Sequence, residues 1–342
     1  MSIAQLLSVV VRRLFLLICN ASSVYTTPEI YCIGSQVAMS AIIPKFAHLL
    51  PPNLSGEALR WLRDDVPNHD VGGFVVGDRM ESAKLYCKSS GILAGVPFAE
   101  AVLQHCGLTC EWMIEEGTFI DVDANVQKKV VVAIVKGPCR NILLAERTVL
   151  NILARASGVA TQANRAVSIA HSYNWDGYVA GTRKTTPGFK MVEKYALVVG
   201  GATTHRMDLS HMVMLKDNHI WSVGSITNAV NKAKSVAGFA SKIEVECQSI
   251  AEAFEAAEAG ADIVMLDNFS CDELKEAAQH IKLKFPSVLI EASGGISESN
   301  MHEYMHPSID IISRGSLTQG YPCVDFSLKV TSGATNPNGA SI

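Results

Sequence analysis

The second half of the chain repeats one unit, and that repetition limits its fold more than any other feature. Short apolar runs recur with helical stretches between them: "GYVAG" (177–181), "MVMLK" (212–216), "KIEVEC" (242–247), "DIVMLD" (262–267), "VLIEA" (288–292) and "IDIIS" (309–313). Apolar residues at consecutive rather than alternate positions suit strands covered on both faces, the environment of a parallel sheet. The helices are punctuated. Ser249 with Glu252 and Ser270 with Glu273 have the spacing of capping boxes, and Gly260 stops the helix "IAEAFEAAEA". "SESNMHEYM" reads as a further helix. At least six such strands predict a closed or nearly closed β/α barrel. The competing doubly wound sheet would be favoured by a GxGxxG after its first strand, and the sequence has none.

The preceding half reads as an α+β module with an antiparallel sheet. "SGEALRWLRDDV" predicts a helix and "PNHDVGGFVVGDRM" a turn-rich stretch. "SAKLYCKS" and "KKVVVAIVKG" read as strands, with "PFAEAVLQHCG" helical between them. A long helical pattern follows in "RNILLAERTVLNILARASG", where Arg147, Asn151 and Arg155 are spaced four apart and share one face. A polar stripe is usually solvated surface. Here Leu and Ile flank it without a break, so a cleft-facing Arg147 stays open as the sharper reading.

Composition narrows the function classes. Hydrophobic residues at 48% and charged residues at 18% indicate a globular, soluble protein. A net charge of -4 gives no global basic field, which argues against general nucleic-acid binding and requires any anionic ligand to be caught by local charge. The nine cysteines are scattered without a CxxC pair, in keeping with reduced thiols in the cytoplasm. "LLSVVVRRLFLLIC" is interrupted by Arg12 and Arg13, too short and too charged to span a bilayer. With no acid before Asn20 it is compatible with a mitochondrial presequence; the reading favoured is a dispensable extension over 1–38. The polar, small-residue tail at 331–342 is expected to be disordered.

In β/α barrels chemistry collects at the C-terminal strand ends. Here "GYVAG" runs into Thr182, Arg183, Lys184 and Thr185, and "MVMLK" ends in Lys216. The next strands end near Glu246, at Asp267, at Ser293-Gly294-Gly295 and at Arg314-Gly315-Ser316. One such residue means little; six strand ends in succession, with cations and carboxylates together, point to a site. From Arg183 to Lys216 there are six Lys or Arg against two acids, Glu193 and Asp208, with His205 and Arg206 between. Arginine forks suit carboxylates and phosphates. The glycines of "EASGG" and "SRGS" let backbone N–H groups approach a phosphate. Glu246 and Asp267 suit a hard divalent cation, or serve as counter-ions for the lysines; the residues do not separate these. His211 reads as structural, and His219 as orienting the loop after Lys216. The residues thus indicate a barrel enzyme binding a polyanion with phosphate and carboxylate groups, with Mg2+. They do not give a reaction.

At "AERTVLNILARASGVAT", "AGTRKTTPGFKMVEKYALVVGGATTHRMDLSHMVMLKDNH", "IEVEC", "MLDNF" and "IEASGGI" the sequence resembles the quinolinate phosphoribosyltransferase family, from about residue 49 to about residue 328. The "GTRKTTPG…HR…KDNH" run is the specific part; "EVE" and "LDN" are weak alone but fall in order. The resemblance implies an N-terminal α/β sandwich domain (39–160, with 319–330 packing back on it) and an incomplete α/β barrel of six or seven strands (161–318). It implies conversion of quinolinate and phosphoribosyl pyrophosphate to nicotinate mononucleotide, carbon dioxide and pyrophosphate, with Mg2+. It also implies a homodimer, or a hexamer built as a trimer of dimers, in which Arg147 reaches the neighbouring subunit's site. Arg183, His205, Arg206 and Lys216 match the cations around quinolinate; Lys184 and Thr185 lie beside the reacting ribose and pyrophosphate. Glu246 and Asp267 match the acidic pair at the ribose and metal, and Ser293, Gly294, Gly295 and Gly315 the 5'-phosphate cradle. Arg314 and Ser316 match no special role. Rival readings are a related enzyme acting on nicotinate, with one carboxylate, a catalytically silent oligomeric scaffold, and another barrel enzyme acting on a phosphorylated sugar.

Overall fold

The computed structural model describes residues 45–331, so the 1–38 extension and the tail beyond Thr331 lie outside the described residues. Thr331, the first residue assigned to the tail, is the last residue of a strand.

Helix α1 (Leu54–Asp65) is followed by α2 (Val71–Val76), within the stretch read as turn-rich. Asp70 explains the difference, because its carboxylate accepts the Gly73 N–H at 2.8 Å and caps a single helical segment. Strand β1 (Met80–Cys87) then pairs antiparallel with β5 (Val130–Pro138) and with β12 (Phe326–Thr331), which returns from the far end of the chain. The sheet runs β12-β1-β5-β3, with β3 (Thr109–Trp112) as an edge strand not expected from the sequence, where its residues show no alternation. β2 (Gly91–Ile92) and β4 (Phe119–Ile120) form a small separate pair, and α3 (Val96–His105) lies between β2 and β3 in the chain.

Helix α4 (Cys139–Ser172) has 34 residues and spans about 50 Å. It buries Ile142, Val149 and Leu153, then a run of small residues, Ala156 to Ala170, that lets neighbours approach closely. The boundary expected at residue 160 falls inside this helix, which passes through it unbroken.

Beyond α4 come β6 (Tyr178–Ala180), α5 (Lys190–Val199), β7 (Val213–Leu215), α6 (Asp217–Val223), α7 (Ile226–Ala237), β8 (Ile243–Cys247), α8 (Ile250–Ala259), β9 (Ile263–Asp267), α9 (Cys271–Lys284), β10 (Leu289–Ser293) and β11 (Ile311–Ser313). The parallel sheet runs β6-β11-β10-β9-β8-β7, so the first strand pairs with the last and the sheet curls into a barrel. Thr203 adds one parallel bridge on the other side of Ala180, and the ring stays open between it and β7. The architecture is therefore the expected α/β sandwich with an incomplete barrel, of six strands. "SESNMHEYM" forms only a short 3-10 turn, Met301–Tyr304.

Aromatic packing ties the two halves together around the future site. Phe98 of α3 is fully buried and meets Tyr195 of α5 edge-on at 5.4 Å and Trp61 of α1 at 6.2 Å. Trp61 also packs on Phe189 at 6.0 Å, immediately after the "GTRKTTPG" segment.

Candidate active site

Parallel register brings the strand ends to one rim. Leu215 lies beside Val245, Glu246 beside Met265, Asp267 beside Ser293, and Ser313 beside Ala180. Residues two apart share a face, so the barrel interior is layered. Its floor is apolar: Ala180, Ile263 and Ile311, with Met212 and Leu289. A buried polar layer of His205, Glu244, Glu291 and Ser313 comes next. Lys216, Glu246, Asp267 and Ser293 form the rim, all half-buried.

The 181–188 loop leaves β6 and is tied down by other elements. Arg60 of α1 donates to the Gly188 carbonyl at 2.8 Å, Thr318 donates to the Lys184 carbonyl at 2.7 Å, and Glu193 of α5 accepts from the Thr186 N–H at 2.8 Å. The backbone is held, yet the Arg183 and Lys184 side chains stay exposed and, among the described residues, have no carboxylate within ion-pair distance. Arg206 is buried, and burial with the nearby Arg183 charge works against its charged form. Two neighbouring cations with no carboxylate in ion-pair contact among the described residues are poised to take one from a ligand.

His205 sits in the left-handed region at φ 52° and turns its ring into the barrel. Nδ1 accepts the Arg206 N–H at 2.7 Å, while Nε2 lies 3.0 Å from Glu291 and 3.5 Å from Glu244. Burial disfavours a charged ring, whereas the hydrogen bonds and charges of Glu244 and Glu291 favour it; set against burial alone, they would raise the pKa to about 10. The Arg206 N–H opposes that second proton, because an imidazolium has no lone pair at Nδ1. This geometry fixes the neutral ring, with its proton on Nε2 and directed at Glu291. Both nitrogens are thereby engaged, so His205 sets Arg206 in place rather than presenting a free cation. The proton on Nε2 also occupies the position a metal would need among His205, Glu244 and Glu291.

Lys216 forms an ion pair with Glu246 across the β7–β8 edge, and His219 accepts the Lys216 N–H at 3.2 Å, orienting the turn into α6. One oxygen of Glu246 is engaged by Lys216 and one of Asp267 by the Asn268 amide at 2.6 Å. Each carboxylate keeps an oxygen for a ligand. Two half-buried carboxylate oxygens at an open rim fit Mg2+, which is commonly held by one or two carboxylates together with substrate phosphates.

At the next strand end, Gly294 has φ 90°, and a Cβ there would lie 2.3 Å from the Asn268 side-chain oxygen. A Cβ on Gly315 would sit 3.0 Å from Lys184 Cδ, so Lys184 passes over this glycine. Ser293, Gly294, Gly295 and Gly315 thus border Asp267 and Lys184. Arg314 is buried and hydrogen-bonds Ser316 at 3.2 Å, bracing the turn from below.

Clefts flank the 181–188 loop. One of about 610 Å3 is lined by Arg183, Thr185, Lys190 and 207–210; another of about 380 Å3 by Arg155, Lys184–Pro187, 318–321 and Cys323. Arg155 therefore faces a cleft, although the sequence reading singled out Arg147 on that face. Arg147 is exposed on α4 and lines neither of these clefts.

Models for the N-terminal and C-terminal domains of quinolinate phosphoribosyl transferase match residues 70–157 and 159–329. The chain belongs to the quinolinate phosphoribosyltransferase family. It is 49% identical over 283 residues to the rat (Rattus norvegicus) protein named nicotinate-nucleotide pyrophosphorylase [carboxylating], covering 82% of this chain and 93% of that one. The human (Homo sapiens) protein of the same name is 48% identical over 285 residues, covering 83% and 94%. Among solved structures, the nicotinate-nucleotide pyrophosphorylase of Francisella tularensis superposes with a TM-score of 0.74 at 32% identity, covering 82% of this chain and 98% of that one. Quinolinate phosphoribosyltransferases are enzymes, and the layered barrel is the frame on which this member's strand-end residues stand.

The sequence reading missed the buried polar layer. Glu244 and Glu291 were hidden inside runs read as apolar strands, although Glu244 stands two residues before Glu246 and so shares its face. Glu193 and Lys194 were read only as charges in a tally; both are fully buried. Glu116 is a further buried acid, accepting the Gly95 and Val96 N–H groups at 2.7 and 2.9 Å and the Tyr195 hydroxyl at 2.5 Å.

Proposed function

We propose that the site joins the pyridine nitrogen of quinolinate to C1 of phosphoribosyl pyrophosphate. The C1–O bond to pyrophosphate breaks, its electron pair leaving on pyrophosphate, and the nitrogen–C1 bond forms. The bond from ring C2 to its carboxylate then breaks, releasing carbon dioxide. The electron pair left on C2 is stabilised by the adjacent cationic nitrogen, and C2 takes a proton from water to give nicotinate mononucleotide. No side chain need act as a base at that step.

The supporting observation is that Arg183 and Arg206, near enough for each charge to oppose the other, have no carboxylate in ion-pair contact among the described residues, on the rim that carries Glu246 and Asp267. In this reading Arg183, Arg206 and Lys216 hold the two carboxylates, with His205 setting Arg206. Lys216 exchanges Glu246 for the substrate carboxylate, which frees Glu246 to face the positive charge developing at C1. Lys184, beside Thr185 and over Gly315, meets the departing pyrophosphate. Asp267 with Glu246 receives the ribose hydroxyls, and the 293–295 turn with Gly315 receives the 5'-phosphate through backbone N–H groups. Glu246 and Asp267 would hold Mg2+, which supplies charge neutralisation for the pyrophosphate.

A homodimer completes the proposal. Phe74 and Val75 of α2, Leu209 and Trp221 are each more than 70% exposed, apolar side chains that a second copy would cover. Arg147, exposed and away from the clefts beside its own 181–188 loop, would serve the neighbouring site. The location we propose is cytoplasmic, in keeping with the seven free cysteines among the described residues.

The test is product analysis with quinolinate, phosphoribosyl pyrophosphate and Mg2+, and in parallel with nicotinate. Carbon dioxide and the mononucleotide should form in equal amounts from quinolinate. Turnover of nicotinate alone, or no product from either, would overturn the proposal.

A further inference from the structure

Two adjacent residues of α5 carry opposite charges, are fully buried, and form no ion pair with each other. Consecutive helical residues diverge by about 100°, and these two reach different loops. Glu193 accepts from the Thr186 N–H at 2.8 Å, from the Thr186 hydroxyl at 2.7 Å and from the Tyr321 hydroxyl at 3.3 Å. Lys194 donates to the Thr204 carbonyl and, at 3.2 Å, to the Arg206 carbonyl. These two carbonyls flank His205, a non-glycine residue held at φ 52°. A left-handed conformation at a residue with a side chain persists when the surroundings hold it, and Lys194 grips the chain on both sides of it.

A buried charge is an expensive way to satisfy a hydroxyl or a carbonyl, for which neutral side chains serve. Lys194 is more costly still because it adds to a positive region. Burial and then the charges of Lys190, Arg183 and Arg206 lower its pKa to about 8, with Glu193 acting weakly the other way. A packing role alone gives no reason for an ammonium there. An anion bound beside Arg183 and Arg206 does, since it would offset all of these charges together.

We propose that Glu193 and Lys194 are the positioning residues of the substrate site, Glu193 setting the 181–188 loop and Lys194 setting the 204–206 turn, so that Arg183 and Arg206 converge on one dianionic ligand. This rests on the quinolinate reading above, and it assigns the two loops different consequences. The 204–206 turn serves quinolinate alone, whereas the 181–188 loop carries Arg183 for quinolinate and Lys184 and Thr185 for the sugar pyrophosphate.

Steady-state kinetics on Lys194→Met, Glu193→Ala and Glu193→Gln reads the difference. Lys194→Met should raise the quinolinate KM roughly ten- to hundredfold, the loss typical of a hydrogen bond to a charged group, while the phosphoribosyl pyrophosphate KM moves less than about twofold. Glu193→Ala should raise both constants, and Glu193→Gln, which keeps one acceptor for Thr186, should recover part of the loss. An unchanged quinolinate KM in a folded Lys194→Met enzyme would overturn the proposal, as would a fall in kcat alone in all three variants. If the variants do not fold, hydrogen exchange on the wild-type protein decides. The Thr186 amide should be protected, and exchange at the rate of a free loop would count against the assignment. Wild-type protein without activity on quinolinate would instead defeat the functional reading and leave the exchange measurement to judge the geometry.

Discussion

Glu244 is the most poorly solvated charge near the site, and replacing it gives a test with a definite sign. It is fully buried and neither carboxylate oxygen has a hydrogen-bond partner. The nearest ring nitrogen, His205 Nε2, lies 3.5 Å away and directs its proton to Glu291 at 3.0 Å. Burial above all raises the Glu244 pKa; Glu291 adds to this, and contact with His205 and the Arg206 charge oppose it. Glu244→Met keeps the bulk and removes the unsatisfied carboxylate, whose burial costs about 1–3 kcal/mol. In a chain of this size the gain corresponds to a rise in Tm of roughly 1–5 °C. An unfolded Glu ionises near pH 4.3 or so, at about its reference value. The folded carboxyl ionises higher, so wild-type stability from this group is lost as pH rises from the unfolded towards the folded pKa. The advantage of Met should therefore be smallest near about pH 4 and larger at about pH 7. Activity should fall, because Glu244 supplies negative charge beneath Arg206. Differential scanning calorimetry across this pH range, with activity measured alongside, reads both effects. A loss of stability by more than about 1 kcal/mol would mean that Glu244 and a doubly protonated His205 form a working ion pair, which would refute the neutral ring argued from the Arg206 N–H.

Other consequences can be checked directly. Arg183→Ala should raise the quinolinate KM by at least about tenfold, and a normal value would count against the carboxylate-binding role. Gly294→Ala places a Cβ 2.3 Å from the Asn268 oxygen at a residue with φ 90°; it should weaken phosphoribosyl pyrophosphate binding while leaving quinolinate affinity near the wild-type value, both measurable by calorimetric titration. Glu116→Ala leaves two backbone N–H groups and the Tyr195 hydroxyl without their acceptor, and should lower stability by about 2–4 kcal/mol in denaturant unfolding. Chelation with EDTA should abolish turnover and added Mg2+ restore it; full activity in the chelator would remove the metal from the mechanism.

Much of the fold could be read because the barrel strands are short and apolar on both faces, and because serine caps and a glycine stop bracket their helices. The edge strand β3 could not, since in "TCEW" Thr109 is exposed, the other three residues are half-buried, and no alternation shows. The six-residue helix α2 was hidden by its glycines until Asp70 was seen to cap it. Of the site, the exposed cations at the strand ends were legible as an excess of local charge. His205 was read with them and belongs with the glutamates below, because a side chain's direction at positive φ does not follow from its neighbours in sequence.

What the sequence determined alone was the set of strands and the chemistry at their ends, since both depend on local pattern: burial on two faces selects apolar runs, and loops carry what the strands cannot bury. Tertiary structure decided which of those ends meet and in what charge state. Register put Lys216 against Glu246 and Asp267 beside Ser293, and curling of the sheet placed His205 over two carboxylates from strands far apart in the chain. Packing of α5 then set one buried charge against each cationic loop. Such effects act through space and depend on desolvation, which no local stretch of residues encodes.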